Sequence, residues 1–423
     1  MRVLILTLGS RGDIEPFMAL AQGLAAGGHA TSLCAPASFE PSIVARGIDY
    51  RRMDDGFVEL ARSLEGQAAF EDMGQLYGAL KTVVRLLPKA DALQDLLLDD
   101  AWSAAQAVRP EVIVFHPKLP GALDIAEALD VPVVMAPLFP QFVPTSAFPT
   151  LGFPDLPLGP GYRRATYRLM HAIAAKVGMG PVRRFRSRRG WAKRPAGMGP
   201  MTDHRGRAVP ILHGFSPLLC PRPADWPASA VVTGHWPLPV SHAELPSGLS
   251  AFLDDGPPPV YVGFGSMAGR DPERTAREVV AALRRAGCRG LLAGGWGGLA
   301  PIEAADDLLF IESAPHDALF PRVAAVVHHG GAGTTHAGLR AGRPSVLCPF
   351  FGDQPFWGRR VEALGVGPTP VPQRALDAAR LAHALQHVMS DPGMGKRAAA
   401  LGAALTREGG VAKAVSMLEG VAR

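Results

Sequence analysis

The sequence predicts an α/β protein built from two doubly wound, Rossmann-like domains that face each other across a cleft. Three observations carry this. Short apolar runs alternate with amphipathic stretches, the pattern of strands and helices in a mainly parallel sheet. That alternation opens at Val3 and restarts at Pro259. Between the two lie Gly234-His235-Trp236-Pro237-Leu238-Pro239-Val240 and Pro257-Pro258-Pro259, and prolines stiffen a connection without extending a sheet.

Val3 to Leu8 reads as a buried strand, Gly9 to Gly12 as a turn, and Ile14 to Ala26 as a helix with apolar residues at helical spacing. Thr31–Cys34, Val112–Phe115 and Val131–Met135 follow as strands, with a helix over Leu123–Leu129. In the second half Val260–Phe264 is a strand, Gly265-Ser266-Met267 a turn and Glu273–Ala286 a helix. Strands then recur at Leu291–Ala293, Leu308–Ile311, Ala324–Val327 and Ser345–Leu347. The boundaries that follow are 1–238, 239–405 and a last helix in 406–423, from Thr406 to Val421, expected to pack back on the first domain.

Composition narrows the class. With 48% hydrophobic and 19% charged residues, the 423-residue chain has ample core for two domains. Its 48 Gly and 40 Pro follow no period, so they imply turns. A net charge of +5 is too mild to imply nucleic acid. Cys34, Cys220, Cys288 and Cys348 are far apart, which argues against a disulfide framework and fits a reducing, cytoplasmic setting. The N-terminal apolar run is too short for a signal peptide, and no run reaches the ~20 residues of a spanning helix.

The most informative stretch is HHGGAGTTHAGLRAGRPSVLCPFFGDQP, from His328 to Pro355. A strand, a glycine turn and a helix opening near Gly333-Thr334 make an anion site, because backbone N–H groups there lack partners and the helix dipole favours negative charge. His329 adds a donor, while His328 reads as structural. Asp353 and Gln354 follow the next strand, and in a parallel sheet both loops leave at one edge. A phosphate grip beside an acid and an amide suited to hydroxyls implies a sugar nucleotide and glycosyl transfer.

Gly9-Ser10-Arg11-Gly12-Asp13 lies at the carboxyl end of the first strand, where open sheets bind ligands. Asp13 reads equally as a helix N-cap or as a general base for an acceptor hydroxyl. Ser266 reads equally as a phosphate contact or a helix cap. Ser10, His116, Phe139 and Phe142, with Lys118, lie in loops expected to line an acceptor pocket; core packing is the alternative for both phenylalanines. From Gly161 to Pro195 run eleven basic residues with interleaved aromatics and no acid, a pattern expected to meet anionic lipid peripherally. No Asp-x-Asp and no His/Cys spacing for a metal occurs, so neither metal nor cofactor is expected.

These motifs, with LRAGRPSVLCPFFGDQPFWGRRVEALGVGP, resemble the GT-B glycosyltransferases of family 1, above all the sterol 3-beta-glucosyltransferases and their bacterial relatives. The vancomycin-type antibiotic glycosyltransferases are similar at the GSRGD turn. The resemblance implies inverting, metal-independent transfer from a nucleotide sugar, UDP-glucose over a dTDP-deoxysugar, to an apolar acceptor held by residues 1–238. It implies Asp13 as base and His329, Gly331, Ala332, Gly333 and Thr334 on the diphosphate. Asp353 and Gln354 fall on the hexose, Ser266 on the phosphate side, and Ser313 to His316 near the base. Two departures stand out: Ser313 replaces the tryptophan that plant relatives carry under the base, and Ala337 replaces their ribose-binding glutamate.

Overall fold

The computed structural model describes residues 1–63, 76–177, 179–192, 201–239, 245–265, 267, 271–295 and 298–421. Two parallel sheets form the centres of two domains. The first has seven strands in the order β3-β2-β1-β4-β5-β6-β7. These are β1 (Arg2–Leu6), β2 (Ala30–Pro36), β3 (Asp49–Met53), β4 (Val112–Phe115), β5 (Val133–Met135), β6 (Ile211–His213) and β7 (Ala230–Val232). The second has five, β10-β9-β8-β11-β12. They are β8 (Val260–Gly263), β9 (Gly290–Ala293), β10 (Leu308–Ile311), β11 (Ala325–His328) and β12 (Ser345–Leu347). Every named pairing is parallel. Parallel strands need helical crossovers, which bury both faces and explain strands such as Val3–Leu6 with no exposed residue.

The helices used below are α1 (Arg11–Ala26), α2 (Leu76–Val108), α3 (Ala122–Leu129), α4 (Gly159–Val177), α5 (Gly180–Arg188), α6 (Pro272–Ala286), α7 (His316–Leu319), α8 (Ala332–Arg340), α9 (Gln354–Ala363), α10 (Ala378–Ser390), α11 (Pro392–Thr406) and α12 (Gly410–Val421). In the second domain α6 packs on α10 under Val279, Leu283, Leu381 and Leu385, all fully buried. Asp271 caps α6 by accepting the Arg274 N–H, and Gly287 closes it in a left-handed conformation that a side chain would strain.

Several elements depart from the pattern expected of the sequence. The α1 helix begins at Arg11, not Ile14, because Ser10 serves as its N-cap. The helix predicted from Thr406 to Val421 begins at Gly410; Thr406 ends α11, and between them Glu408 binds Ser216 Oγ and the His235 N–H. Beyond that break α12 lies on α1, with Gly23 making room for Val411. Strands β3, β6 and β7 were not expected: β3 is a polar edge strand, and β6 and β7 have three residues each.

The domains share core. Leu347, Phe356, Trp357 and Val361 of the second pack with Phe215, Leu219 and Phe115 of the first. Arg360 Nε donates to the Leu219 carbonyl at 2.6 Å. At the joint the His235 and His336 rings stack 4.4 Å apart. His336 Nε2 accepts the Ser216 N–H, so its other nitrogen carries the proton it gives to the Ala332 carbonyl. All four cysteines are buried and free. No described helix is long and apolar enough to cross a membrane.

Candidate active site

The cleft lies where α1 and α8 meet by their N-termini. A β-carbon on Gly333 would lie 3.9 Å from the Gly12 Cα, so the GSRGD turn and the HHGGAG turn are in contact range. Each turn sits at the carboxyl end of a central strand, β1 or β11, which brings Gly12 and Gly333, 321 positions apart, to one place.

Asp13 is the third residue of α1, and its two oxygens divide the readings left open above. Oδ2 accepts the Ser10 N–H at 2.8 Å and the Ser10 hydroxyl at 3.2 Å, completing a capping box. Oδ1 faces the cleft, where Lys118 Nζ lies at 2.8 Å and His116 Nε2 at 3.4 Å. The Asp13 side chain is 14% exposed. Burial alone would raise its pKa; the Lys118 charge first, then His116 and the Ser10 bond, outweigh that and hold the carboxyl below its ordinary value. Gly9 makes the arrangement possible: with φ +130, a β-carbon there would stand 2.3 Å from Asp13 Oδ2 and 2.8 Å from Lys118 Nζ.

His116 is fully buried behind Asp13. Its Nδ1 accepts the Lys118 N–H at 3.2 Å, so the proton resides on Nε2, toward Asp13. That contact is off line for a hydrogen bond, and Nε2 has no other partner. Burial pushes His116 down to about 3, so it is a neutral wall. Phe17 packs edge-on against it at 5.8 Å. Phe139 and Phe142 are half-buried, 6.2 Å apart, and pack on the first domain's core.

On the facing domain Gly331 is the N-cap of α8, followed by Ala332, Gly333 and Thr334, all partly exposed. The His329 ring fits between two glycines: β-carbons would come within 3.3 Å of its Cε1 at Gly265 and 2.4 Å of its Nε2 at Gly331. Its Nδ1 is buried without a hydrogen-bond partner, and burial lowers its pKa to about 4. His329 is therefore neutral, with its Nδ1 left unpartnered. His328 is fully buried, its Nδ1 accepting the Gly330 N–H at 3.0 Å.

Asp353 stands at the N-cap position of α9, and its Oδ2 accepts the Trp357 indole N–H at 2.8 Å. Burial raises Asp353 to about 6; the Trp357 bond opposes this, Asp13 adds to it and Lys118 opposes it. Asp13 and Lys118 thus act on Asp353 across the cleft. Gln354 is 5% exposed, and its Oε1 is occupied by the N–H groups of Phe350 and Phe351. Gln354 lies against Gly330, whose φ is +91. His316 opens α7 and stacks on Phe320 at 4.3 Å, while Ser313 is exposed. The charge of Arg11, from the other domain, lowers His316 after burial, to about 3. Ala337 is half-buried on α8. Ser266 lies outside the described residues. Lys118 was expected only as pocket lining; its ion pair with Asp13 had no sequence signal.

The basic run reads differently in three dimensions. Arg184, Arg188 and Arg189 of α5 and the turn after it pair with Asp91, Asp95 and Asp99 of α2. Arg186 is 7% exposed and binds Asp124 and Glu127 of α3. Arg163 and Arg164 meet Asp155 and Asp225. Much of the run's charge is therefore neutralised within the chain by acids distant in sequence. Lys193 and Arg194 lie outside the described residues.

Two parallel sheets, with a carboxylate of one domain opposed to a helix N-terminus of the other, define a GT-B glycosyltransferase architecture. Residues 3–148 match the glycosyltransferase family 28 N-terminal domain, and residues 303–415 the C-terminal domain of erythromycin biosynthesis protein CIII-like proteins. Sterol 3-beta-glucosyltransferase UGT80A2 of Arabidopsis thaliana is 33% identical over 98% of this chain and 64% of its own length. Sterol 3-beta-glucosyltransferase UGT80B1 of the same plant is 32% identical over 98% of this chain and 67% of its own. The Emericella nidulans sterol 3-beta-glucosyltransferase is 35% identical over 99% of this chain but 30% of its own length, so the chain spans only part of these relatives. The chain belongs to the glycosyltransferase family that contains these sterol 3-beta-glucosyltransferases. Among solved structures, the kitacinnamycin glycosyltransferase superposes with a TM-score of 0.70 at 18% identity over 99% of this chain and 98% of its own. VinC in complex with dTDP gives 0.66 at 19% identity over 100% and 99%. These likenesses are of fold.

Proposed function

We propose that the protein moves a hexose, with inversion, from UDP-glucose to a hydroxyl of an apolar acceptor such as a sterol. One juxtaposition carries this reading: the Asp13 carboxylate on one domain stands opposite the N-terminus of α8 and Asp353 on the other. The names of the relatives matched over 98–99% of this chain support the donor sugar and the acceptor class.

Asp13 Oδ1 accepts the acceptor's hydroxyl proton. The acceptor oxygen bonds to the anomeric carbon as the bond from that carbon to the β-phosphate oxygen breaks, and that electron pair leaves on UDP. With base and diphosphate grip on opposite walls, the oxygen enters on the face away from the leaving group. Charge developing on the diphosphate meets the N–H groups of Ala332, Gly333 and Thr334, the α8 dipole and the His329 N–H. Asp353 accepts from hexose hydroxyls. Gln354 serves the sugar through its backbone and amide nitrogen, since its Oε1 is occupied. The base rests near Ser313 and His316. His116, Phe139 and Phe142 line the acceptor side.

Surface delivery of a lipophilic acceptor falls to α4, where Leu169 and Ile173, 51% and 44% exposed, stand beside Arg168, with Leu156 and Leu158 exposed just before the helix. Co-sedimentation with anionic vesicles, abolished in L169D/I173D, tests that contact.

The main experiment is purified protein with UDP-glucose and a panel of sterols, flavonoids and macrolides, read by mass spectrometry, with a dTDP-deoxysugar arm in parallel. A glucoside from UDP-glucose is expected. Product only from dTDP-deoxysugars would replace the donor, interconversion of the donor without acceptor would indicate an epimerase, and UDP binding without turnover would end the enzymatic reading.

A further inference from the structure

Lys118 stands in the loop after β4, on neither glycine motif, and its ammonium touches the cleft-facing oxygen of Asp13 at 2.8 Å. It is 44% exposed, so it reaches this carboxylate from the rim of the cleft. Two oxygens with about four lone-pair sites are shared there. Two sites on Oδ2 are taken by Ser10, and Lys118 takes one on Oδ1. One direction on Oδ1 is left for an acceptor hydroxyl. The backbone N–H of Lys118 also sets the His116 tautomer, so one residue determines two walls around Asp13.

We propose that Lys118 is the positioning residue of the transfer: paired with Asp13 Oδ1 and facing Asp353, it keeps the base ionised and aimed while the cleft holds two carboxylates. This rests on the reading of Asp13 as the base. The charged and titratable groups facing Asp13 are Lys118 and His116 from the β4 loop and Asp353 from α9. On its own helix Arg11 and Glu15 are paired with each other at 2.5 Å. Among these, Lys118 is the cation in contact with Asp13. Without it, burial and Asp353 both favour a protonated Asp13, which cannot accept a proton. When the acceptor proton arrives, Asp13 loses its charge, and the ammonium is left to face Asp353, keeping that carboxylate ionised on the sugar.

The test is Lys118→Met and Lys118→Arg in the full chain. In K118M the acid limb of the kcat/KM profile moves up by about one pH unit or more, the scale of an adjacent opposite charge. The loss of activity is confined to the acid side of the profile and disappears toward neutral pH, with UDP affinity by calorimetry unchanged. K118R keeps the wild-type profile. A loss in K118M equal at every pH, or an unmoved acid limb, overturns the proposal. Carbodiimide labelling of Asp13, followed by mass spectrometry against pH, reads the same shift without turnover. If the protein transfers no sugar yet labelling still moves in K118M, Lys118 controls Asp13 and the transferase reading alone has failed. Should K118M not fold, K118Q carries the same measurements.

Discussion

The indole nitrogen of Trp357 donates to Oδ2 of Asp353 at 2.8 Å, and the same ring packs edge-on against His336 and Phe215. A carboxylate proposed to bind the sugar is thereby tied to the joint between the domains. Its other support is its place at the start of α9.

Trp357→Phe keeps most of the packing and removes that bond. Losing a hydrogen bond to a charged group costs ~1.5–3 kcal/mol. Because the bond holds Asp353 down, its loss pushes the carboxyl above its present value of about 6. Donor KM is expected to rise about tenfold at pH 6.5 and less at pH 8, measured by initial rates over both.

Asp13→Asn retains the shape of the α1 capping turn but removes the base. General-base loss lowers turnover by roughly 10²–10⁴-fold. UDP affinity, read by calorimetry, is expected to stay within about twofold of wild type, since Asp13 stands on the wall opposite the diphosphate grip. Full activity in D13N would remove Asp13 from the mechanism.

His329→Ala deletes one N–H at the proposed diphosphate site and leaves Gly265 and Gly331 facing an empty slot. Donor affinity is expected to weaken about tenfold or more, the scale of one hydrogen bond to a charged group. Unchanged UDP affinity would assign the diphosphate to other groups.

Gly9→Ala combines a positive φ of +130 with a β-carbon 2.3 Å from Asp13 Oδ2. Strain of this kind costs of order 1–3 kcal/mol. The melting temperature is expected to fall, and turnover to fall further than stability explains, because the displaced group is the proposed base.

Stability is expected to drop steeply below about pH 6.5. Burial lowers His116, His213 and His316 to about 3 and His329 and His336 to about 4, from an ordinary 6.5. Between those values the unfolded chain binds more protons than the folded one, so stability is full above pH 6.5 and is lost as pH falls toward 3. Asp353 works oppositely: raised from 3.8 to about 6, it makes the folded state lose stability as pH rises through that window. Five histidines outweigh one carboxyl. Urea midpoints at pH 7.5, 6.0 and 5.0 check the direction, and His213→Phe is expected to flatten the slope.

The central strands were legible because burial on both faces leaves an unbroken apolar word, as in Val260–Val262 or Ala325–Val327. Three-residue strands such as β6 leave no such word. The HHGGAG turn was legible as a strand-to-helix turn because glycines and a helix start follow the strand in a fixed local order. The ion pairs that neutralise Arg184, Arg186 and Arg188 were not, because their acids sit on α2 and α3, roughly 60 to 90 residues away in sequence. Lys118 belongs to the same class: nothing local marks a lysine two residues after a buried histidine as the partner of Asp13.

By itself the sequence determined two doubly wound halves and the two glycine turns, with Asp13, His329 and Asp353 beside them. These follow from periodicity and turn geometry, which act over a few residues. Only the tertiary structure decided that Asp13 is at once a capping residue and a cleft carboxylate, that His329 is neutral, and that Gln354's Oε1 is turned inward. It also decided that Lys118 pairs with Asp13. Burial and Coulomb forces depend on distance in space, and here that distance is closed by segments hundreds of residues apart in the chain.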